Sequence, residues 1–184
     1  MRPFIIDAEK AILLVVDVQE KLIPLVADSE TVENRIAILA RAAEMLHLPV
    51  KMTEQYPRGL GSTTEPVASS LSREWRRFEK THFSCYAEEG FAEYLSEPGR
   101  DQIIVCGVEA HICVLATVME LLERDYRVIV AADAVSSRQE EHRNLALDAM
   151  SRAGALVVPM ETVVYQMLKR SGTVPFKALL AYFR

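Results

Sequence analysis

The sequence lacks the glycine patterns of nucleotide-binding loops. Its seven glycines form neither the GxGxxG of dinucleotide-binding folds nor the GxxxxGK[ST] of phosphate loops. Its three cysteines, Cys85, Cys106 and Cys113, have no CxxC spacing, which excludes the usual zinc and redox motifs. The four histidines are scattered without an HxH, HxxxH or HxxEH pair. We therefore expect neither a metal nor a cofactor.

The chain has neither an excess of basic residues nor a long apolar run. Its net charge is −5, and Arg76 and Arg77 lie beside Glu74 and Glu79, which is typical of a solvated face. The longest apolar run, Ala11–Val16, is too short to span a bilayer, and no signal-like segment precedes it. These absences predict a cytoplasmic protein that binds neither nucleic acid nor membranes.

The sequence alternates short apolar runs with longer amphipathic ones. Its 184 residues suit one domain over residues 1–184, and half of them are hydrophobic. The alternation indicates an α/β protein, a Rossmann-like three-layer α/β/α sandwich around a parallel sheet. Five runs are continuously apolar, as expected of strands that are buried on both faces. They are residues 12–16, 50–53, 103–106, 128–131 and 156–158.

Six segments have helical periodicity or helix-cap signals. The predicted helices cover about residues 29–46, 88–96, 113–122, 138–152, 162–169 and 175–182. The first helix is expected to begin at a cap formed by Asp28 or Ser29. The helix at 138–152 is expected to begin at Ser136 or Ser137 and to end at Gly154.

One long stretch, residues 54–70, is rich in Gly, Pro, Ser and Thr and is predicted to be irregular. Loops of this length in compact domains are often functional, so we expect it to lie over the binding site. Open parallel sheets bind ligands beyond the carboxyl ends of their strands, where the strand order reverses. Residues directly after strands are therefore the first candidates for function.

Two residues in such positions carry reactive groups. Asp17 follows the first apolar run and places a carboxylate at the expected crevice, although a turn or cap role is the alternative. Cys113 comes after Gly107 and a short turn, at the start of a predicted helix. Free N–H groups and the macrodipole there favour a thiolate at neutral pH and could hold an oxyanion. A small, buried, inert thiol is the alternative.

Other polar residues carry weaker signals. Lys80 lies between aromatic residues, where a partly desolvated lysine beside a carboxylate could balance charge and move a proton. A surface position is its ordinary alternative. Cys106 lies inside a predicted strand and Cys85 has no helix terminus beside it, so both are interpreted as structural. His111, two residues before Cys113, could line the site.

Five segments, taken together, point to a known family. They are residues 13–22 (LLVVDVQEKL), 53–61 (TEQYPRGLG), 80–84 (KTHFS), 106–114 (CGVEAHICV) and 132–138 (ADAVSSR). In this order, over about residues 8–165, they resemble the isochorismatase-like cysteine hydrolase superfamily, and most closely its isochorismatase domain-containing branch. Any one segment alone would be a weak signal.

The resemblance implies a sheet of about six parallel strands, an Asp–Lys–Cys triad and a homo-oligomer. Asp17, Lys80 and Cys113 carry the triad. The resemblance also implies a cis peptide before Glu109, whose amide would join that of Cys113 in an oxyanion hole. Residues beside these motifs are the candidates for lining the pocket of a small-molecule substrate: Gln19, Gln55, Tyr56, Phe83, Glu109 and His111.

Two departures from the superfamily bear on the substrate. Its nicotinamidase members hold a metal with an Asp and several His, for which residues 53–56 offer no equivalent. Its isochorismate hydrolases lack the cysteine, so Cys113 argues against that reaction. A Glu109 carboxylate would repel acidic substrates and could receive a cationic group. Alternatively, it points into solvent or a subunit contact and serves only through its backbone.

These observations predict a metal-independent cysteine hydrolase of a small amide, ester or ureide. Two alternatives stay open. The fold could serve as an oligomeric scaffold, with the apolar segment 174–183 either in a subunit contact or packed on its own sheet. A thiol-based sensor would need a second thiol near Cys113, which the sequence alone does not place.

Overall fold

The protein is built around a six-stranded parallel sheet. The computed structural model describes residues 4–71 and 76–183. The strands are β1 (Ala11–Val16), β2 (Val50–Gln55), β3 (Arg77–Lys80), β4 (Gln102–Val108), β5 (Arg127–Ser136) and β6 (Leu156–Val158). Their order across the sheet is β3-β2-β1-β4-β5-β6, and every neighbouring pair is parallel.

Helices connect the strands and cover both faces of the sheet. They are α1 (Ser29–Met45), α2 (Pro57–Leu60), α3 (Glu65–Ala68), α4 (Phe91–Leu95), α5 (Leu115–Glu123), α6 (Glu140–Ala153), α7 (Met160–Leu168) and α8 (Val174–Leu179). Short 3₁₀ turns lie at Ile23–Leu25, Cys85–Ala87 and Leu180–Phe183. No helix in residues 4–71 and 76–183 combines the length and apolar character that crossing a membrane requires.

All of β1 is buried because the strand faces a hydrophobic core on each side. Leu13 and Val15 belong to the core formed with α1, α7 and α8. Ile12, Leu14 and Val16 belong to the core formed with α4, α5 and α6. A strand with two apolar faces has no polar alternation, which is why the run was recognisable in the sequence.

The strand order reverses between β1 and β4. After β1 the chain builds β2 and β3 on one side, and it then returns to build β4, β5 and β6 on the other. Gly107 in β4 has a φ of 121°, and a side chain there would overlap the Val16 carbonyl. Only glycine allows this close approach. The ends of β1 and β4 therefore form the crevice at which ligands bind in such sheets.

The α/β fold and the five strands predicted from apolar runs are confirmed, each within an observed strand. The sixth strand, β3, has no apolar run because it lies at the sheet edge and its first three residues are at least partly exposed. Arg77 on this strand is exposed and its guanidinium lies 3.7 Å from Glu54, in keeping with a solvated face. Glu74 lies outside the described residues.

Some predicted boundaries were wrong. The helix at 138–152 begins after Gln139 rather than at a serine cap. Ser136 Oγ donates instead to the carbonyl of Ala27, and Ser137 Oγ is hydrogen-bonded to His111. The stretch 54–70 is only partly irregular, since it contains the end of β2 and two short helices, α2 and α3.

Candidate active site

Asp17 and Lys80 form a buried ion pair at the carboxyl edge of the sheet. Asp17 follows β1 in the left-handed backbone region, with a φ of 53°, and Lys80 is the last residue of β3. Lys80 Nζ lies 2.7 Å from Asp17 Oδ2, and neither side chain is exposed. A surface position for Lys80 is therefore wrong.

The Lys80 ammonium has three further acceptors. It donates to Gln55 Oε1 at 2.6 Å and to the carbonyls of His82 and Phe83 at 3.2 and 3.4 Å. Burial lowers the pKa of Lys80, but the negative charge of Asp17, with which it is paired, outweighs burial and raises the pKa above its ordinary value. Lys80 therefore stays charged and holds the Asp17 carboxylate.

Both oxygens of the Asp17 carboxylate are bonded. Thr53 Oγ1 donates to Oδ1 at 2.7 Å, while Lys80 occupies Oδ2. The Asp17 carbonyl accepts from Gln19 N at 2.9 Å. Asp17 is thus a turn residue and a buried carboxylate at once, so the two roles considered from the sequence do not exclude each other.

Cys113 lies in a π-helical turn rather than at the start of an α-helix. The turn spans Ala110–Val114, and α5 begins only at Leu115. The residue is 7% exposed, and its thiol lies close enough to Asp17 and Lys80 for both charges to act on its pKa. The structure therefore brings Asp17, Lys80 and Cys113 together.

The surroundings of the Cys113 thiol disfavour the thiolate, which contradicts the enrichment expected from the sequence. Burial raises the pKa of Cys113 well above its usual range, and the charge of Asp17 raises it further. The Lys80 ammonium acts in the opposite direction without compensating. The free energy by which a helix terminus stabilises a charge is only a fraction of the cost of desolvating that charge, and this explains the error.

The backbone before Cys113 has an unusual arrangement. The peptide bond between Val108 and Glu109 is cis. The Glu109 carbonyl accepts from Ile112 N at 3.1 Å and from Val114 N at 3.2 Å. In a regular α-helix, that carbonyl would accept from the Cys113 amide. Because of the π-turn, the Glu109 carbonyl does not accept from the Cys113 N–H group.

Two glutamines connect Lys80 to the surrounding backbone through hydrogen bonds. Gln19 is fully buried, and its side chain donates to the carbonyls of Gln55 and Gly61 and accepts from Gln55 N. Gln55 Oε1 binds Lys80, and its Nε2 donates to the Thr81 carbonyl. Both amides are engaged within the protein, so these two candidates help to position the site.

The remaining pocket candidates lie nearer to solvent. Tyr56 follows β2 and Phe83 follows β3, and both rings are exposed. His111 Nδ1 is 2.9 Å from Ser137 Oγ, and burial lowers the pKa of His111 despite the opposing charge of Glu109. Glu109 Oε2 accepts from Arg138 Nε at 3.0 Å. Glu109 is thus bound within the chain and does not point freely into solvent.

Sequence reasoning missed three residues of this region: Thr53, Cys85 and Arg138. Thr53 ends a predicted strand beside β1, and that position could have identified it. Cys85 Sγ lies 3.8 Å from Thr53 Oγ1, and burial and the Asp17 charge raise its pKa to about 12. No pattern in the sequence places Cys85 there. The interpretation of Cys85 as a structural residue therefore does not account for its position beside the candidate site.

Among the residues that the structure describes, no three His, Cys, Asp or Glu side chains cluster as metal ligands do. The cluster around Cys113 contains instead one carboxylate, one ammonium and two thiols, Cys85 and Cys113. Such a set is suited to proton transfer and to nucleophilic attack by sulfur.

Comparisons with known proteins agree with the fold. The isochorismatase domain model matches residues 11–162. Isochorismatase domain-containing protein 2 of Xenopus laevis is 34% identical over 167 residues, covering 91% of this chain and 80% of that protein. The structure of Mar1 ribonuclease from Caenorhabditis elegans is 33% identical with a TM-score of 0.90, covering 97% of this chain and 91% of that chain.

A more distant structure has the same architecture. The YcaC gene product of Escherichia coli, described as an octameric hydrolase of unknown specificity, has a TM-score of 0.91. It is 23% identical and covers 98% of this chain and 92% of its own, so it supports the fold alone. From the family match and the relatives above 30% identity, the chain belongs to the isochorismatase domain family.

Proposed function

We propose that the protein is a cysteine hydrolase that cleaves a small amide, ester or ureide through a thioester on Cys113. The observation that carries the proposal is the buried Asp17–Lys80 ion pair, whose two charges lie close enough to the Cys113 thiol to act on its pKa. An isolated buried ion pair stabilises a fold little, so its place beside a thiol at the switch point of the sheet favours a chemical role.

Acylation begins with a neutral thiol. As sulfur attacks the substrate carbonyl, the Cys113 proton passes to Asp17, and the new S–C bond leaves a negative charge on the carbonyl oxygen. Collapse of this intermediate breaks the bond to the leaving group, which takes the proton from Asp17. Lys80 stays charged throughout and orients the carboxylate. The raised pKa of Cys113 requires such a coupled base.

The oxyanion is held by backbone amides in this proposal. The N–H groups of Glu109 and Cys113 are the donors, and the diversion of the Glu109 carbonyl to Ile112 and Val114 supports the availability of the Cys113 amide. In deacylation, water attacks the thioester and gives a proton to Asp17. The C–S bond then breaks, and the departing sulfur takes that proton back.

A screen of small amides, ureides and esters tests the proposal. Turnover by wild type, with an acyl adduct on the Cys113 peptide found by mass spectrometry after acid quench, is expected. Cys113→Ala should lose at least about 10³-fold in rate, since it removes the nucleophile. Cys106→Ala is the matched control, because Cys106 lies in the core on the other face of the sheet. Equal loss in both variants would refute the assignment.

Ribonuclease activity is a second candidate, favoured only by the similarity to the Mar1 ribonuclease structure. The net charge of −5 opposes it, because RNA binding depends on basic surface that neutralises phosphates. We therefore propose a small molecule rather than nucleic acid as substrate. RNA cleavage that Cys113→Ala leaves intact would show a separate activity and contradict this choice.

A homo-oligomer is proposed as the working form. Exposed apolar side chains include Val174, which is 83% exposed at the start of α8. In contrast, Leu179 at the end of α8 is buried in the core, so the segment 174–183 partly packs on its own domain. Sedimentation equilibrium gives the mass directly. A monomer at high protein concentration would reject the oligomer without affecting the catalytic proposal.

A further inference from the structure

A second ion pair lies at the turn that carries Cys113. Glu109, which precedes the turn, accepts from both the backbone N and the Nε of Arg138, at 3.2 and 3.0 Å. The Glu109 side chain is only 12% exposed, whereas that of Arg138 is 57% exposed. Arg138 follows the end of β5, so the pair joins the loops after β4 and β5 on the mouth side of the sheet.

Two cations at this edge of the sheet are therefore each bound to a carboxylate. Lys80 is bound to Asp17, and Arg138 is bound to Glu109. Burial lowers the pKa of His111, which lies on the same turn as Cys113. An anionic group that entered the site would meet two carboxylates whose cations are already engaged.

We propose that the site accepts uncharged carbonyl compounds and rejects anionic ones, and that Glu109 sets this selection by masking Arg138. The inference rests on the proposed function. Attack by Cys113 transfers its proton to Asp17 and creates one negative charge on the substrate oxygen, which Lys80 balances. A carboxylate or phosphate on the substrate would add a second negative charge beside the Asp17 and Glu109 carboxylates, whose cations Lys80 and Arg138 are already bound to them.

Binding a substrate carboxylate at Arg138 would require the guanidinium to leave Glu109. A mostly buried carboxylate would then lose its partner, and leaving a buried charge unpaired is costly. The net charge of −5 also repels anions before they reach the site. Both effects act in the same direction.

Two alkylating reagents of nearly equal size test the selection without a known substrate: neutral iodoacetamide and anionic iodoacetate. The rate of each is measured at the Cys113 peptide by mass spectrometry and divided by its rate with a free cysteine peptide. Both reagents attack the same thiolate, so the raised pKa of Cys113 cancels in their ratio. Cys85 and Cys106 are distinguished by their own peptides.

The normalised preference for iodoacetamide should be about 3- to 10-fold in the wild type, because the iodoacetate anion would approach the Asp17 and Glu109 carboxylates, whose cations are engaged, on a protein of net negative charge. Glu109→Gln frees the Arg138 cation and should lower the preference. Arg138→Gln leaves the Glu109 anion and should raise it. The double variant should return close to the wild-type ratio, which excludes a merely steric effect of either substitution.

A wild-type ratio no higher than that of the peptide, or single variants that leave the ratio unchanged, would overturn the selection while Cys113 remains the nucleophile. If neither reagent alkylates Cys113 in the folded protein, even when the pH is raised to increase the thiolate fraction, but both do after denaturation, the thiol is inaccessible. That result would overturn the selection and the proposed function together.

Discussion

Lys80 reaches across a whole strand to bind Asp17. The two residues belong to β3 and to the end of β1, and β2 lies between these strands, yet Nζ and Oδ2 are 2.7 Å apart. Strands two positions apart are separated by roughly 10 Å, so only a long side chain can bridge them. Gln55, at the end of β2, is the register partner of Lys80, and its Oε1 accepts a hydrogen bond from the Lys80 ammonium.

Replacing Asp17 by Asn should affect turnover and thiol reactivity in opposite directions. Turnover should fall by about 10²- to 10⁴-fold, because the variant has no general base. The pKa of Cys113 should fall, because the charge of Asp17 now raises it and Lys80 would remain to lower it. Iodoacetamide labelling of Cys113 at fixed neutral pH should therefore become faster. Slower labelling in a folded variant would contradict this electrostatic account.

Replacing Lys80 by Met should destabilise the protein more than removing both charges. The single variant leaves the Asp17 carboxylate buried without its cation, which typically costs about 3–5 kcal/mol in free energy of unfolding. The double variant Asp17→Asn with Lys80→Met leaves no net charge and should recover most of that loss. Urea denaturation measures both. A double variant no more stable than Lys80→Met would show that packing, rather than charge, explains the effect.

The sheet could be predicted because apolar runs such as Ala11–Val16 face a core on both sides. The candidate site was only partly predictable. Asp17 follows a recognisable strand, but Lys80 ends an edge strand without an apolar run, and only the family resemblance identified it. Position along the chain does not reveal which strands end side by side.

The pKa of Cys113 could not be predicted from the sequence, for a different reason. The helix-start argument for Cys113 considered local dipoles, whereas its pKa is set chiefly by burial and by Asp17, which is far away in the chain. Cys85 was likewise missed because its place beside Thr53 depends on how a loop after β3 folds back onto α5. Its amide donates to Thr117 Oγ1 at 2.9 Å, which fixes that loop.

Thr53 should contribute to stability through its bond to Asp17. Thr53→Val keeps the shape of the side chain but removes the donor to Oδ1, and hydrogen bonds to charged groups are worth about 1.5–3 kcal/mol. Thr64→Val is the matched control, because Thr64 Oγ1 is buried and has no hydrogen-bond partner in the described part of the chain. We expect the control to be neutral or stabilising in urea denaturation. Equal losses in the two variants would refute the role of the Thr53 hydroxyl.

Glu88 should make the loop after β3 sensitive to acid. Its Oε2 accepts from the backbone N–H groups of Thr81 and His82, at 2.7 and 3.1 Å. The Thr81 backbone bond, followed by the His82 side chain and backbone, lowers the pKa of Glu88 to about 2. An unfolded glutamate titrates near about 4.3, so this stabilisation is complete above that pH and is lost as the pH falls towards 2.

The stability difference between wild type and Glu88→Gln, measured by urea denaturation at several pH values, should therefore be constant above about pH 5 and shrink as the pH falls from about 4 to 2. Glu89→Gln, at the exposed neighbouring position, is the control and should show no such change. The same loop supplies the His82 and Phe83 carbonyls that bind Lys80 Nζ. If the Glu88 difference does not depend on pH, its carboxylate does not hold this loop against the active site.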